Sequence, residues 1–167
     1  MSKIWNIGAV LPTFTPDGGV EIAMTKTSKS QDAKLMYTTE RFEIFSDQES
    51  AAEHDALSSQ NLLVSIAVPM DYAELVVLSS EWVAGSAGHA LKSDLGATSV
   101  FGVLKLLKKG GTTGTADEHI IGKARVRKVD LDMSFKVEGE VFVPIEFIAM
   151  ADANGDLLTT GDYVATV

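Results

Sequence analysis

Lys123-Ala124-Arg125-Val126-Arg127-Lys128-Val129-Asp130-Leu131-Asp132-Met133-Ser134-Phe135 carries the strongest strand signal in the chain. Side chains two residues apart share one face of a strand, which puts Lys123, Arg125 and Arg127 on one parity with Val129, Leu131, Met133 and Phe135. Residue type on that parity changes from cationic to apolar near Lys128. Either a bulge exchanges the two faces there, or the strand leaves the core and projects as a ribbon. Beyond it, Val137, Val141, Val143, Ile145 and Phe147 resume the alternation as far as Ala151, with an interruption at Glu138-Gly139-Glu140. Asp152-Ala153-Asn154-Gly155-Asp156 then predicts a turn into Leu157-Leu158.

The same alternation organises the rest of the chain. Ile4 to Leu11 is apolar up to Pro12, and Val20, Ile22 and Met24 alternate with polar or small residues, so two strands joined by an Asp17-Gly18-Gly19 turn are expected. Ala33 to Phe45 predicts one long or two short strands, and Ser46 to Asn61, which has no period, predicts a solvated loop. Leu62, Val64, Ile66 and Val68 alternate again. Asp71 followed by Glu74 has capping-box spacing, and Leu75, Leu78 and Trp82 supply the apolar stripe of a helix over Tyr72 to Val83 that ends in Gly85-Ser86-Ala87-Gly88. Thr98 to Leu107 fits strand or helix, and Gly110 to Thr115 is a loop by composition. About eight strands and one helix make a mainly β domain: a β-sandwich or barrel with one flanking α-helix and long loops.

Composition bounds the function. The 167 residues are 46% hydrophobic, enough for one sizeable core in a single domain over 1–167. No apolar stretch approaches the roughly 20 residues of a bilayer-spanning helix, and the residues after Met1 lack the pattern of a secretory signal, so a soluble protein without a membrane partner is expected. With no cysteine, disulfides, thiolate metal sites and thiol nucleophiles are excluded together. The net charge of -9 opposes any partner held by phosphate neutralisation. That charge is uneven: Lys105, Lys108, Lys109, Lys123, Arg125, Arg127 and Lys128 against Asp117 and Glu118 give 7 − 2 = +5 locally, leaving -14 elsewhere. Such polarity suits either a solvated ribbon or contact with acidic copies of the same protein.

No catalytic constellation survives inspection. Asp152, Asn154 and Asp156 offer oxygen donors at alternate positions, but the glycine and the bidentate Glu of a calcium loop are missing, so a β-turn is the better reading. His54, His89 and His119 are too far apart in sequence, and too isolated, to suggest one metal site. Ser86 with His89 lacks the strand and spacing of a nucleophile elbow. Lys108-Lys109 precede the glycines of Gly110 to Thr115, the reverse of a phosphate-binding loop. Glu138 and Glu140 share a strand parity compatible with acid–base work, but solvated strand edges carry such pairs routinely. No cofactor is expected.

The order of features resembles a family. Arg41-Phe42-Glu43-Ile44-Phe45-Ser46-Asp47-Gln48 leads into an alternating strand over Leu62 to Pro69 and a short capped helix. The second half ends in Val141-Phe142-Val143-Pro144-Ile145-Glu146-Phe147-Ile148-Ala149-Met150-Ala151-Asp152, followed by Gly155-Asp156-Leu157-Leu158. From Ala33 to Leu158 the chain is similar to the tail tube (major tail) proteins of long-tailed bacteriophages, while residues 1–30 match less clearly. The resemblance implies a structural, non-enzymatic virion protein, assembled in the host cytoplasm into hexameric rings that stack as the tail tube. Its partners would be copies of itself and other tail proteins, and DNA would pass through without specific binding. Loops after Asp47 and around Gly110 to Thr115 would then bridge subunits, and Lys123, Arg125, Arg127, Asp47 and Gln48 are the candidate interface residues. A capsid decoration or tail terminator protein would share the size, acidity and β content. A ligand-binding β-sandwich is disfavoured by only 7% aromatic residues.

Overall fold

The computed structural model describes residues 2–24, 33–45, 52–69, 71–93, 98–129 and 142–163. Its strands are β1 (Ser2–Gly8), β2 (Val10–Pro16), β3 (Ile22–Ala23), β4 (Ala33–Phe45), β5 (Ala52–Pro69), β6 (Trp82–Ala84), β7 (His89–Leu91), β8 (Phe101–Lys108), β9 (Glu118–Val129), β10 (Phe142–Ala149) and β11 (Thr159–Thr160), with one helix, α1 (Tyr72–Leu78). The fold is mainly β, as the alternation predicts. Nine strands form one antiparallel sheet in the order β1-β4-β5-β10-β9-β8-β2-β3, with β11 added to β9, and β6-β7 form a separate hairpin.

That order carries the architecture. β1 and β2 stand near opposite ends of the path, yet only Ala9 separates them in sequence. Two Cα atoms flanking one residue lie at most about 7 Å apart, so the two sides of the sheet must meet and the sheet rolls into a barrel. Gly8 makes the corner at φ +71°, in a region where a side chain would be strained. Residues on the alternate strand positions fill the interior: Val10 and Phe14 from β2, Leu35 from β4, Val64, Ile66 and Val68 from β5, Leu104 and Leu106 from β8, and Val143, Ile145 and Phe147 from β10 are buried. The rings of Phe14 and Phe147, from strands on facing walls, pack across the centre at 5.3 Å. Leu75 and Leu78 of α1 join the same cluster.

The helix begins where the sequence places it and ends sooner. Asp71 Oδ1 accepts from Glu74 N at 2.9 Å, and Glu74 Oε2 accepts from Asp71 N at 3.0 Å. It stops at Leu78, not Val83, because Ser79 is already extended and Ser80 donates its hydroxyl to the Thr98 carbonyl. Trp82, expected on the helix stripe, instead starts the β6–β7 hairpin, whose turn is Gly85 to Gly88.

Three other regions sharpen or correct the sequence reading. Ala33 to Phe45 is one strand, and the ambiguous stretch before Leu107 is strand β8. Asp17 to Gly19 turns β2 into β3, with Gly19 N donating to Pro16 O at 2.9 Å. The expected loop from Ser46 to Asn61 is wrong from Ala52 onward: those residues are the first part of β5, in register with β4 from Lys34↔Ser65 to Phe45↔Ala52. β1 pairs β4 only as far as Thr38, and β10 pairs β5 only from Leu63 to Pro69, so 39–45 with 52–60 continue as a two-stranded ribbon beyond the barrel. Alternation records a buried face; Ser59, Gln60 and Asn61 of β5 are all exposed and leave no such record, whereas the β4 side of the ribbon keeps the alternation read over Ala33 to Phe45. Residues 46–51 and 130–141, with Glu138 and Glu140, lie outside the described residues.

Two substitutions test the closed barrel. Phe14→Ala is expected to lower unfolding free energy by about 3–5 kcal/mol, and Phe14→Ala with Phe147→Ala by less than the sum of the two, since both open one shared cavity. Gly102→Ala is expected to destabilise the protein despite its small size, because a Cβ at Gly102 would overlap the Thr15 carbonyl oxygen. Urea unfolding of the variants measures both effects.

Candidate functional site

The basic segment is placed by β9, whose irregularities come from its own sequence. Ile121, Ala124 and Val126 are buried, and Val129 packs against the same core, so the inward positions are spaced three, two and three residues apart. A strict strand would space them by two. Register shifts mark both departures: one between Gly102 and Leu104 of β8 against Ala124 and Ile121, the other between Glu146 and Phe147 of β10 against Lys128 and Val126. Arg127 is the extra residue of the second shift. This is the bulge alternative drawn from the sequence, and it explains how cations and apolar residues share a nominal parity.

Lys123, Arg125 and Arg127 consequently point away from the core, but their surroundings differ. Lys123 is exposed. Arg125 is half-buried, registered between Phe101 of β8 and Ile148 of β10; its Nε is sealed from solvent with no hydrogen-bond partner. Arg127 donates from Nη1 to Glu146 Oε1 at 2.6 Å, with half of its side chain still in solvent. The expected row of cations is present as geometry, and one member is already paired within the chain. Asp47 and Gln48 lie outside the described residues.

Around this row the outer faces of β8 and β10 add half-buried Phe101, Val103, Lys105, Leu107 and Ile148. Lys108 and Lys109 stand exposed where β8 ends, and Lys109 N donates to Ala9 O at 3.0 Å. The outer wall of β8–β9 is therefore a mixed apolar and cationic surface. Sequence reading located its charges but not Phe101, Val103 and Leu107, because their parity was undetermined until Gly102, Leu104 and Leu106 turned inward.

The other candidates are structural. Asp152 Oδ1 accepts from Asn154 N at 2.8 Å and Asp156 N at 3.0 Å, so this carboxylate closes its own turn around Gly155, as the β-turn reading expects. Among the described residues, no group of three or more His, Cys, Asp or Glu is placed to hold a metal ion. Ser86 and His89 are exposed around the β6–β7 turn. In the 112–115 loop, Gly114 N donates to the buried Glu118 carboxylate at 2.8 Å and Thr115 Oγ1 to Thr112 O at 2.7 Å, so these groups are engaged within the chain. Sequence reading did not identify Glu118 as this anchor, since nothing in its spacing distinguishes it from a surface acid.

A groove of about 480 Å³ lies between the end of α1, the β6–β7 hairpin and the end of β9, with Trp82, Leu91, Ser99, Arg127 and Lys128 on its walls. Arg127 is held by Glu146, and Ser79 donates its hydroxyl to Glu81. Among the described residues no helix is long and apolar enough to cross a membrane. Comparison of the chain with protein-family models, curated proteins and solved structures gives no match.

A double-mutant cycle on Arg127→Ala and Glu146→Ala is expected to give a coupling of about 1 kcal/mol or less, the range of exposed ion pairs, and to fall as salt is added. Coupling well above this, independent of salt, would show the pair to be a structural tie instead of a surface contact.

Proposed function

We propose that this protein is a structural subunit of a virion, assembling with copies of itself into rings that stack as the tail tube of a long-tailed bacteriophage. The observation that carries the reading is the ribbon of β4 and β5, which runs out from a closed barrel and whose outer edges meet no other strand among the described residues. A two-stranded ribbon alone in water is marginal at best, and unpaired strand edges invite other chains. A self-assembling subunit uses such an arm; a monomeric binding module has little use for it. The resemblance of Ala33 to Leu158 to tail tube proteins supports the same function, with no catalytic residues to carry over. In such a particle the barrel interior is packed with side chains, and the conduit would be the space enclosed by the ring of subunits.

Charge fits a conduit physically. DNA that must travel through a channel should make few ion pairs with its wall, and a subunit with net charge -9 repels phosphates on average despite its basic segment. Other tail proteins would meet the ends of the assembly.

Electron microscopy and light scattering of the concentrated protein test the proposal, with rings or tubes as the expected species. A strict monomer at every concentration and salt overturns it. Separately, a mobility-shift titration with duplex DNA is expected to show no complex at about 0.15 M salt; micromolar binding with a steep salt slope would return the basic segment to nucleic-acid recognition.

A further inference from the structure

We infer that the acidic ribbon of one copy docks on the cationic outer wall of β8–β9 of the next, a head-to-tail contact that closes the ring. This inference rests on the self-assembly reading and identifies the surfaces that it uses. Three independent placements support it.

The first is position around the barrel. With β1 and β2 counted as one continuous strand, the circuit is β1/β2, β4, β5, β10, β9, β8. The β4–β5 pair and the β9–β8 pair are separated by β10 on one side and by β1/β2 on the other. They occupy opposite walls. A contact between opposite walls is heterologous, and it gives a closed ring where its rotation closes and an open filament where it does not.

The second is position along the barrel. Passing from Pro69 to Leu63 on β5 matches Phe142 to Ile148 on β10 and Val129 toward Ala124 on β9. Continuing in that direction leads out along the ribbon on one wall, and on the other to Lys123, Lys105, Lys108 and Lys109. The end of β8 that carries Lys105, Lys108 and Lys109 therefore points the same way as the ribbon, set back from it along the barrel, since Val10↔Lys108 and Gly8↔Ala33 place Lys108 beside the first residues of β4.

The third is charge. The ribbon strands carry Glu40, Glu43, Glu53 and Asp55 against Arg41, giving 4 − 1 = 3 negative charges. The wall carries Lys105, Lys108, Lys109, Lys123, Arg125 and Lys128 against Asp117 and Glu118, giving 6 − 2 = 4 positive charges, with Arg127 left out because Glu146 already holds it. Half-buried Phe101, Val103, Leu107 and Ile148 lie between these cations, so docking also removes apolar surface from water. The sealed, unpartnered Nε of Arg125 is in the same wall.

The test is a charge swap in the full chain. Lys105→Glu with Lys123→Glu reverses the wall, and Glu40→Lys, Glu53→Lys and Asp55→Lys reverse the ribbon. Each set alone is expected to raise the protein concentration needed for assembly at least tenfold, with the thermal melt of the subunit kept. Both sets in one chain restore opposite charges across the contact, and assembly is expected within about threefold of the unmodified protein. Glu→Gln and Lys→Gln versions of the same sets weaken the contact without reversal and serve if a reversed chain fails to fold. Raising salt from about 0.05 to 0.5 M is expected to weaken assembly of the unmodified protein, as exposed pairs are screened. If the unmodified protein assembles and neither set changes its assembly concentration, or if the combined chain is no better than either set alone, the docking contact is wrong and self-assembly stands. A protein that never assembles removes both.

Discussion

The fold depends on one covalent constraint. Residues 2–16 run as nearly continuous strand, and their first half pairs with β4 while their second half pairs with β8. Because the chain cannot stretch across Ala9, the strands that flank these halves are drawn to the two sides of a single barrel. Closure matters energetically as well as geometrically, since an open sheet would leave unpaired edges and expose one side of Phe14, Phe147, Leu104 and Ile145, all buried here. Gly8 supplies the positive φ at the corner, and Gly102 lets β8 approach Thr15 where a side chain could not fit. These two glycines permit the closure that the apolar interior favours.

β9 shows how the same interior shapes the surface. Its inward residues must meet Leu104 and Gly102 on one side and Phe147 and Ile145 on the other, and the sequence offers apolar side chains at irregular spacing. The backbone accommodates this with two register shifts. Each leaves an extra residue on the outside, which is how Lys123, Arg125 and Arg127 come to share the outer wall while Val129 returns to the core. A regular strand with this sequence would bury a cation or expose an apolar residue, and unpaired burial of charge is the costlier of the two.

The barrel is also electrically two-sided. Its basic residues cluster on β8–β9, and the β4–β5 ribbon on the far wall is acidic, although the molecule as a whole is strongly negative. In an isolated molecule the two walls are held apart by the width of the barrel, so they do little for stability. In the proposed assembly their value would lie in association, where complementary faces set orientation and register more than raw affinity. A self-assembling subunit and a polarised barrel are therefore consistent with each other.

Much of this was legible in the sequence. Alternation at Leu62 to Val68 and Val143 to Phe147 located the core strands, Asp71 with Glu74 located the start of the helix, Asp152 to Asp156 announced a turn, and the parity conflict near Lys128 announced either a bulge or a projecting ribbon, of which β9 has the bulge. Each is a local record of a local rule: which side is buried, which amide needs a cap, which residue tolerates a turn. The end of the helix at Leu78 was misread because Trp82 keeps helical spacing while belonging to a hairpin. The strand over Ala52 to Asn61 has no period to read, and its described side chains, Ser59, Gln60 and Asn61, are all exposed. Closure at Gly8, the opposite placement of ribbon and basic wall, and the partition between Arg127 paired with Glu146 and Arg125 half-buried between Phe101 and Ile148 were decided only by tertiary structure, since each depends on strands distant in sequence becoming neighbours, and periodicity carries no information about which strand lies beside which.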